Sequence, residues 1–180
     1  MEFLERKGAY VMEFSIETTY DQKALTAMVR ALRKTLGRKR SRRTRNFGIF
    51  AILLGLLLCF SAVEINFRLI VTMLIVLIIL LALLFQDPIN AYFTRKAGLP
   101  GMEKAIVAFR ETGYHSQTAL GESDFRYDTI RMLADTGDYW VFAFSPRHGQ
   151  VYEKKTLSGG TPEEFQQFLQ EKTGIKMLIV

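Results

Sequence analysis

The chain has 180 residues, of which 24 are Lys or Arg, 18 are Asp or Glu and one is Cys. This length suits one ordinary domain, or a small domain with membrane anchors, and excludes a large multidomain enzyme. A single Cys excludes a disulfide framework and a Cys-based zinc or iron–sulfur site. Only two His residues are present, His115 and His148, which disfavours a His-rich metal site. We therefore expect neither a metal nor another cofactor.

The positive charge is confined to one stretch of the sequence. Residues 30–45 contain nine Lys or Arg residues and no acid, which leaves 15 basic against 18 acidic residues in the rest of the chain. Because the positive charge belongs to one segment and not to the chain as a whole, it gives little support to a nucleic-acid-binding function. We expect no nucleic-acid partner.

The N-terminal part predicts a strand followed by a helix. Met12, Phe14 and Ile16 alternate with polar residues, which is the period of a half-buried strand. Thr19 and Gln22 have the spacing of a capping box, and apolar residues then recur at helical spacing (Leu25, Met28, Val29, Leu32, Leu36). Because a lone strand cannot bury its apolar face, we expect this strand to join a sheet formed by the C-terminal part.

Two uncharged, strongly apolar segments follow, at residues 47–63 and 69–85. Each has 17 residues, the short end of the range for a bilayer-spanning helix. Glu64 and Arg68 lie in the five residues between them, so the pattern predicts a transmembrane helical hairpin with a tight turn. The apolar run starts too late in the chain and is too long for a cleaved signal peptide.

The distribution of Lys and Arg around these segments predicts their orientation. The nine basic residues precede the first segment, the turn holds only Arg68, and Arg95 and Lys96 follow the second segment. By the positive-inside rule both termini face the cytoplasm.

A basic collar lies immediately before the first apolar segment and consists of six residues (Arg38, Lys39, Arg40, Arg42, Arg43, Arg45). Its position at the membrane surface favours a topogenic collar that is attracted to anionic headgroups. Specific lipid recognition by the same residues is the alternative, and nucleic-acid binding is the least favoured interpretation.

The C-terminal part predicts several short strands between two helices. Asp87 and Pro88 fit the start of a helix that leaves the membrane and stops near Gly98. The predicted strands lie at residues 105–112, 114–120, 124–127, 129–134, 139–144 and 150–155. The strand at 139–144 is apolar on both faces and should be central, and Thr161-Pro162-Glu163-Glu164 should start a closing amphipathic helix.

These elements predict an α+β membrane protein with three parts. Residues 1–46 form a cytoplasmic strand, an amphipathic helix and the basic collar, and residues 47–85 form the hairpin. Residues 86–180 form a small antiparallel β barrel or sandwich capped by a C-terminal helix.

Motifs that resemble catalytic sites are better explained structurally. Asp135-Thr136-Gly137 spells the aspartic-protease triplet, but such a site needs two facing carboxylates, and a hairpin turn explains the residues. Residues 157–160 resemble an ATPase signature without the phosphate-binding loop that it requires. Trp140 lies in an unbroken apolar strand and is expected in the core. We expect no catalytic residue and no cofactor-binding residue.

The layout resembles that of YcxB-like bacterial membrane proteins, over roughly residues 12–173. The resemblance is carried by RYDTIRMLADTGDYWVFAF at residues 126–144, where Tyr127 stands at an aromatic position, and by Glu163-Glu164-Phe165 at the start of the last helix. It implies a multi-pass protein of the bacterial inner membrane with a cytoplasmic domain similar to bacterial pleckstrin-homology-like domains. It implies no activity. Residues 1–8 and the apolar tail at residues 175–180 look like additions to this layout.

We therefore expect a non-catalytic, membrane-anchored binding or regulatory module whose partner is a protein or a lipid. The alternative is an accessory subunit of a membrane transporter or an envelope-stress sensor that acts through its hairpin, and an unrecognised enzyme is the third. The uncharged spans argue against a proton or ion path through a monomer.

Overall fold

The fold is described here from a computed structural model, which covers residues 14–61 and 66–180. Within these ranges the chain forms five α-helices and two four-stranded sheets. The helices are α1 (Gln22–Lys34), α2 (Arg38–Phe60), α3 (Phe67–Leu84), α4 (Gln86–Ala97) and α5 (Pro162–Thr173). The strands are β1 (Phe14–Thr19), β2 (Lys104–Phe109), β3 (Tyr114–Thr118), β4 (Gly121–Phe125), β5 (Met132–Asp135), β6 (Tyr139–Ser145), β7 (His148–Glu153) and β8 (Met177–Ile179).

The first sheet joins the two ends of the helical insertion. Its order is β1-β2-β3-β4, and all neighbouring strands are antiparallel. Phe14 lies opposite Phe109 although α1 to α4 separate the two strands in sequence. Phe14 and Ile16 are both buried, which confirms the predicted pairing of the N-terminal strand. Met12, which was predicted to share their face, lies outside the described residues.

The second sheet has the order β7-β6-β5-β8 and is mixed. β8 runs parallel to β5, with Met177 opposite Leu133, and the Val180 N–H donates to the Asp135 carbonyl at 2.9 Å. The expectation of a wholly antiparallel domain followed by an added tail is therefore wrong. Without β8, the backbone N–H and C=O groups on the outer edge of β5 would lack partners. The apolar tail forms the strand that pairs with them.

The segment between β4 and β5 also differs from the prediction. Instead of strands at 124–127 and 129–134, β4 ends at Phe125 and a single 3₁₀ turn, Tyr127–Thr129, leads to β5. The Tyr127 side chain is buried, and its hydroxyl donates to the Arg110 carbonyl at 2.8 Å. A side chain fixed in this way holds the corner between the two sheets.

The two sheets and α5 enclose one core, and α1 covers the outer face of the second sheet. On β6, Trp140 and Phe142 point into the core between the two sheets. Val141 and Ala143 point to the opposite face and pack in a second apolar cluster, under α1. All four residues are fully buried, which confirms that this strand is central. Phe165 of α5 lies in the core between the two sheets, so α5 closes that core.

The helix starts were predicted with mixed success. Thr161 accepts from the Glu164 N–H and the Glu164 carboxylate accepts from the Thr161 N–H, so the capping box of α5 is confirmed. The Thr19 cap is wrong, because Thr19 is the last residue of β1 and Asp21 caps α1 instead. The Asp87 cap is also wrong, since only Phe85 separates α3 from α4 and Asp87 lies inside α4.

Candidate membrane-binding site

Helices α2 and α3 form an antiparallel hairpin with an exposed apolar surface. Both are long and apolar enough to cross a membrane, judged by length and composition. Most of their large apolar side chains are exposed, among them Leu53, Leu57 and Ile78. A continuous apolar surface of this extent marks a site of interaction with a membrane or with another protein.

The contact between the two helices is made at small residues. A Cβ atom at Gly55 would lie 2.4 Å from Cγ2 of Val76, and one at Gly48 would lie 2.8 Å from Cδ1 of Leu83. Gly48 and Gly55 are seven residues apart, so both lie on the face of α2 that packs against α3. Glycine at these positions lets the helices approach closely, as in membrane helix pairs generally.

The six residues of the basic collar form the first turns of α2, which runs without interruption into the apolar part of the hairpin. All six side chains are exposed, and none of them makes an ion pair within the part of the chain that the structure describes. Ser41 shares a helix face with Gly48 and Gly55, because the three are spaced seven residues apart. The cations thus cover the remaining faces of α2 and leave the contact with α3 free.

Helix α4 presents a second apolar face at the base of the hairpin. Asp87 and Ala91 are buried toward α1, whereas Ile89, Tyr92 and Phe93 are exposed. Those three positions follow the i, i+3, i+4 spacing of one helix face. A short helix with exposed aromatic residues next to an apolar span has the character of an interfacial helix.

An ion pair joins the two chain segments that flank the hairpin. Arg33 Nε lies 2.6 Å from Asp87 Oδ1, and Arg33 Nη2 lies 2.8 Å from Oδ2, so the contact is bidentate. The hydrogen bond to the Asp87 carboxylate raises the pKa of Arg33, so the guanidinium stays charged. Because α1 packs on the second sheet, this pair fixes the β domain against the base of the hairpin.

Sequence reasoning missed this pair. Asp87 was interpreted as a helix cap, and Arg33 was counted only as one of the basic residues before the hairpin. A signal was available, because Asp87 is the only acidic residue between Glu64 and Glu103. A lone carboxylate beside an apolar segment needs a cationic partner.

The residues of the protease-like triplet serve a turn. Lys154 Nζ lies 2.7 Å from Oδ1 and 2.6 Å from Oδ2 of Asp135, and Oδ1 also accepts from the Gly137 N–H at 2.8 Å. Gly137 has a φ of +90°, which explains the glycine. The triplet thus lies in the hairpin between β5 and β6.

The two histidines lie apart and are engaged locally. His115 Nδ1 lies 2.8 Å from Asp124 Oδ1 across β3 and β4, a partner that the sequence did not reveal. His148 Nδ1 lies 2.9 Å from Ser145 Oγ, which also accepts from the His148 N–H in the β6–β7 turn. Across residues 14–61 and 66–180, no group of three or more His, Cys, Asp or Glu residues could hold a metal ion.

Fold and surface together define a two-sheet β domain that carries an apolar helical hairpin with a basic base. The model of the YcxB-like protein family matches residues 109–169. The match confirms the resemblance to YcxB-like proteins over this segment, which runs from the end of β2 into α5. No curated protein and no solved structure matches the chain.

Proposed function

We propose that the chain is a membrane-anchored, non-catalytic binding module of the bacterial inner membrane. In this proposal the hairpin spans the bilayer twice, and the β domain, similar to pleckstrin-homology-like domains, faces the cytoplasm. The observation that carries the proposal is an exposed apolar hairpin that is clamped to a compact β domain and whose base bears six cations without an ion pair among residues 14–61 and 66–180. The partner is a protein or a lipid.

The basic collar supports the cytoplasmic orientation. Each basic residue near an anionic leaflet gains about 1 kcal/mol, so the side of the membrane that attracts the collar is the cytoplasmic side. The exposed Ile89, Tyr92 and Phe93 of α4 would then lie among the headgroups. Collar and α4 together hold the β domain at a fixed place beside the bilayer.

A binding role is preferred to catalysis because residues that resembled catalytic groups in the sequence make structural contacts. Asp135 is paired with Lys154, and Ser145 and His148 bond to each other within a turn. The YcxB-like match adds no activity to this picture.

Cysteine accessibility tests the topology. In a Cys59→Ser background, Ser61→Cys lies at the far end of α2 and Gln167→Cys lies exposed on α5. In intact cells an impermeant maleimide should label the first variant and should reach the second only after permeabilisation. Labelling of Gln167→Cys in intact cells refutes the cytoplasmic placement of the β domain.

Lipid retention tests the collar. The full chain is extracted from membranes, and the co-purifying phospholipids are measured by mass spectrometry. Replacing Arg40 and Arg42 by Gln should reduce the retained anionic phospholipid. The matched control replaces Arg131 and Arg147, two exposed cations of the β domain, by Gln and should retain the wild-type amount. Equal retention in all three proteins would show that the collar does not bind headgroups.

A further inference from the structure

A cleft of about 420 Å³ opens between the end of α4 and the first sheet. It lies between the α4 terminus and its following loop on one side, and β3, β4 and the start of β7 on the other. Leu25 and Met28 of α1 complete its lining. Its volume is within the range of small-molecule binding sites.

The floor of the cleft holds hydrogen-bond donors that the protein leaves unused. Ser116 is only 7% exposed, yet its hydroxyl makes no hydrogen bond among residues 14–61 and 66–180. Oε1 of Gln150 accepts from the hydroxyls of Tyr114 at 2.8 Å and Tyr152 at 2.6 Å. The Nε2 group of Gln150 finds no acceptor in the described structure, so its N–H donors are also unused. Neither donor atom is fully buried, so both are accessible from the cleft and favour a ligand rich in acceptors.

The tyrosines keep that arrangement fixed. Burial raises the pKa of Tyr152 well above its usual value, and burial likewise raises the pKa of Tyr114. Both hydroxyls therefore remain protonated and donate to Gln150 at neutral pH. The amide oxygen is occupied, and the amide nitrogen is the group left to donate.

The charged residues of the cleft lining are Arg95 and Glu103, one of each sign. Arg95 lines the cleft, is exposed and makes no ion pair within the described ranges. Glu103 also lines it, and its Oε2 accepts from the Gly101 N–H at 2.8 Å within the loop after α4. A free guanidinium beside unused donors favours a phosphate or carboxylate.

Apolar side chains line the cleft on both sides. Leu25, Met28, Leu99, Met102 and Phe125 line it. Leu99 and Met102 are exposed where the loop after α4 opens to solvent. A ligand that satisfies both the donors and the apolar side chains carries an anionic head and an apolar chain.

We propose that this cleft binds the headgroup and adjoining carbons of an acidic lipid drawn from the bilayer. The proposal rests on the membrane anchoring argued above. Helix α4 begins one residue after the apolar helix α3 and ends at the cleft, which places the cleft within about 18 Å of the end of α3. The cleft is too small for a whole phospholipid, so the chains extend past Leu99 toward the bilayer.

Photo-crosslinking of the full chain tests the site. The protein is reconstituted into phosphatidylcholine vesicles that contain phosphatidic acid with a diazirine near the glycerol end of one acyl chain. After irradiation the labelled positions are mapped by mass spectrometry. Labels are expected at Met28, Leu99 and Met102, and in α2 and α3, whose labelling serves as an internal standard for insertion.

Two variants of adjacent residues separate the cleft from the general surface charge. Arg95→Glu should lower labelling of the cleft about tenfold relative to the standard, the effect of losing a charge-assisted hydrogen bond. Lys96→Glu makes the same charge change one residue away, outside the cleft, and should leave that labelling unchanged. Ser123→Trp, at an exposed position lining the mouth, should block labelling of the cleft without disturbing the core.

Each other outcome has a definite meaning. Labelling of the hairpin without the cleft refutes the lipid site and leaves the membrane anchoring intact. Labelling of neither region refutes the anchoring. Equal loss in Arg95→Glu and Lys96→Glu shows simple surface attraction and refutes the site. Suppression of cleft labelling by inorganic phosphate, with the standard unchanged, assigns the site to a soluble phosphate and refutes the lipid as its source.

Discussion

The hairpin and the β domain use the same kinds of apolar residue in opposite ways. In α2 and α3 the large side chains point outward, and Phe60 is 88% exposed. In the β domain they point inward, and Trp140 and Phe142 are 0% exposed. The hairpin is moreover inserted between β1 and β2, two strands that pair with each other.

The difference shows that two kinds of packing hold one chain together. The β domain depends on fitted aromatic contacts, such as Phe142 with Tyr152 at a ring-centroid distance of 4.6 Å and Phe109 with Phe165 at 4.8 Å. The hairpin depends on the absence of side chains at Gly48 and Gly55. Adding a charge should therefore damage the domain most, and adding bulk should damage the hairpin most.

The largest effect is expected from Phe14→Asp, which should destabilise the β domain without affecting the hairpin. The Phe14 ring lies 5.2 Å from the rings of Phe165 and Phe168, so the change removes core packing and buries an unpaired carboxylate. We expect a loss of at least about 3 kcal/mol in the free energy of unfolding. Limited proteolysis of membrane preparations should cut the mutant's C-terminal domain readily. Resistance to alkaline extraction, if equal in mutant and wild type, would show that the change does not affect the proposed insertion of the hairpin.

Thr19→Asp is the matched control for that change. It adds the same carboxylate to the same strand at an exposed position and should leave protease resistance unchanged. Equal resistance of Phe14→Asp and the wild type would mean that β1 does not stabilise the domain.

Gly55→Ile should break the hairpin and spare the domain. Its side chain would meet Val76, and overpacking of this kind costs about 1–3 kcal/mol. In a Cys59→Ser background, cysteines introduced by Gly48→Cys and Leu83→Cys should form a disulfide under mild oxidation, and Gly55→Ile should suppress it. Ala82→Ile, on the exposed surface of α3, should leave crosslinking intact. Persistent crosslinking in Gly55→Ile would contradict the observed helix contact.

The Arg33–Asp87 pair connects the two regions, and a double-mutant cycle measures that connection. We expect a coupling of about 1–2 kcal/mol, because both side chains are mostly buried and the contact is bidentate. Arg33→Ala should cost more than Asp87→Ala, since it leaves the buried carboxylate with only the more distant Arg30, whose Nε lies 3.9 Å from Oδ2. Unfolding followed by fluorescence of the only Trp, Trp140, in detergent provides the measurement.

The Lys23–Asp138 pair provides the comparison for this cycle. Its two charges lie 2.7 Å apart, but the side chains are 70% and 67% exposed, so solvent and salt screen the pair. Its coupling should be indistinguishable from zero. A coupling as large as that of Arg33 and Asp87 would show that the latter pair has no special role as a clamp.

Much of this organisation could be predicted because it rests on local patterns. Alternation at Phe14 and Ile16 predicted β1, unbroken apolar runs predicted the hairpin helices, and the Thr161 box predicted the start of α5. Each of these signals lies within a few residues and does not depend on distant parts of the fold. The pairing of β1 with β2 followed from the need to bury one face.

The features that were missed depend on contacts between distant residues. The tail at residues 175–180 became β8 because the edge of β5 was free, which no local pattern reveals. Asp87 was interpreted as a cap because its partner Arg33 lies 54 positions away. The cleft likewise combines α1, α4 and three strands. Sites assembled across elements leave only weak traces in a single sequence.

The smallest effect is expected from the conservative exchange of collar residues. Replacing Arg40 and Arg42 by Lys keeps two exposed positive charges at the base of α2. If the collar acts through charge alone, orientation and retained anionic lipid should match the wild type, because attraction to the leaflet depends on charge. Recognition of one phosphate by a planar guanidinium would not tolerate Lys, which lacks the paired donors of Arg. Lipid mass spectrometry and labelling of Ser61→Cys distinguish the two cases: lost lipid with unchanged orientation would show that the collar is a specific phosphate site, and unchanged lipid would confine its role to anchoring.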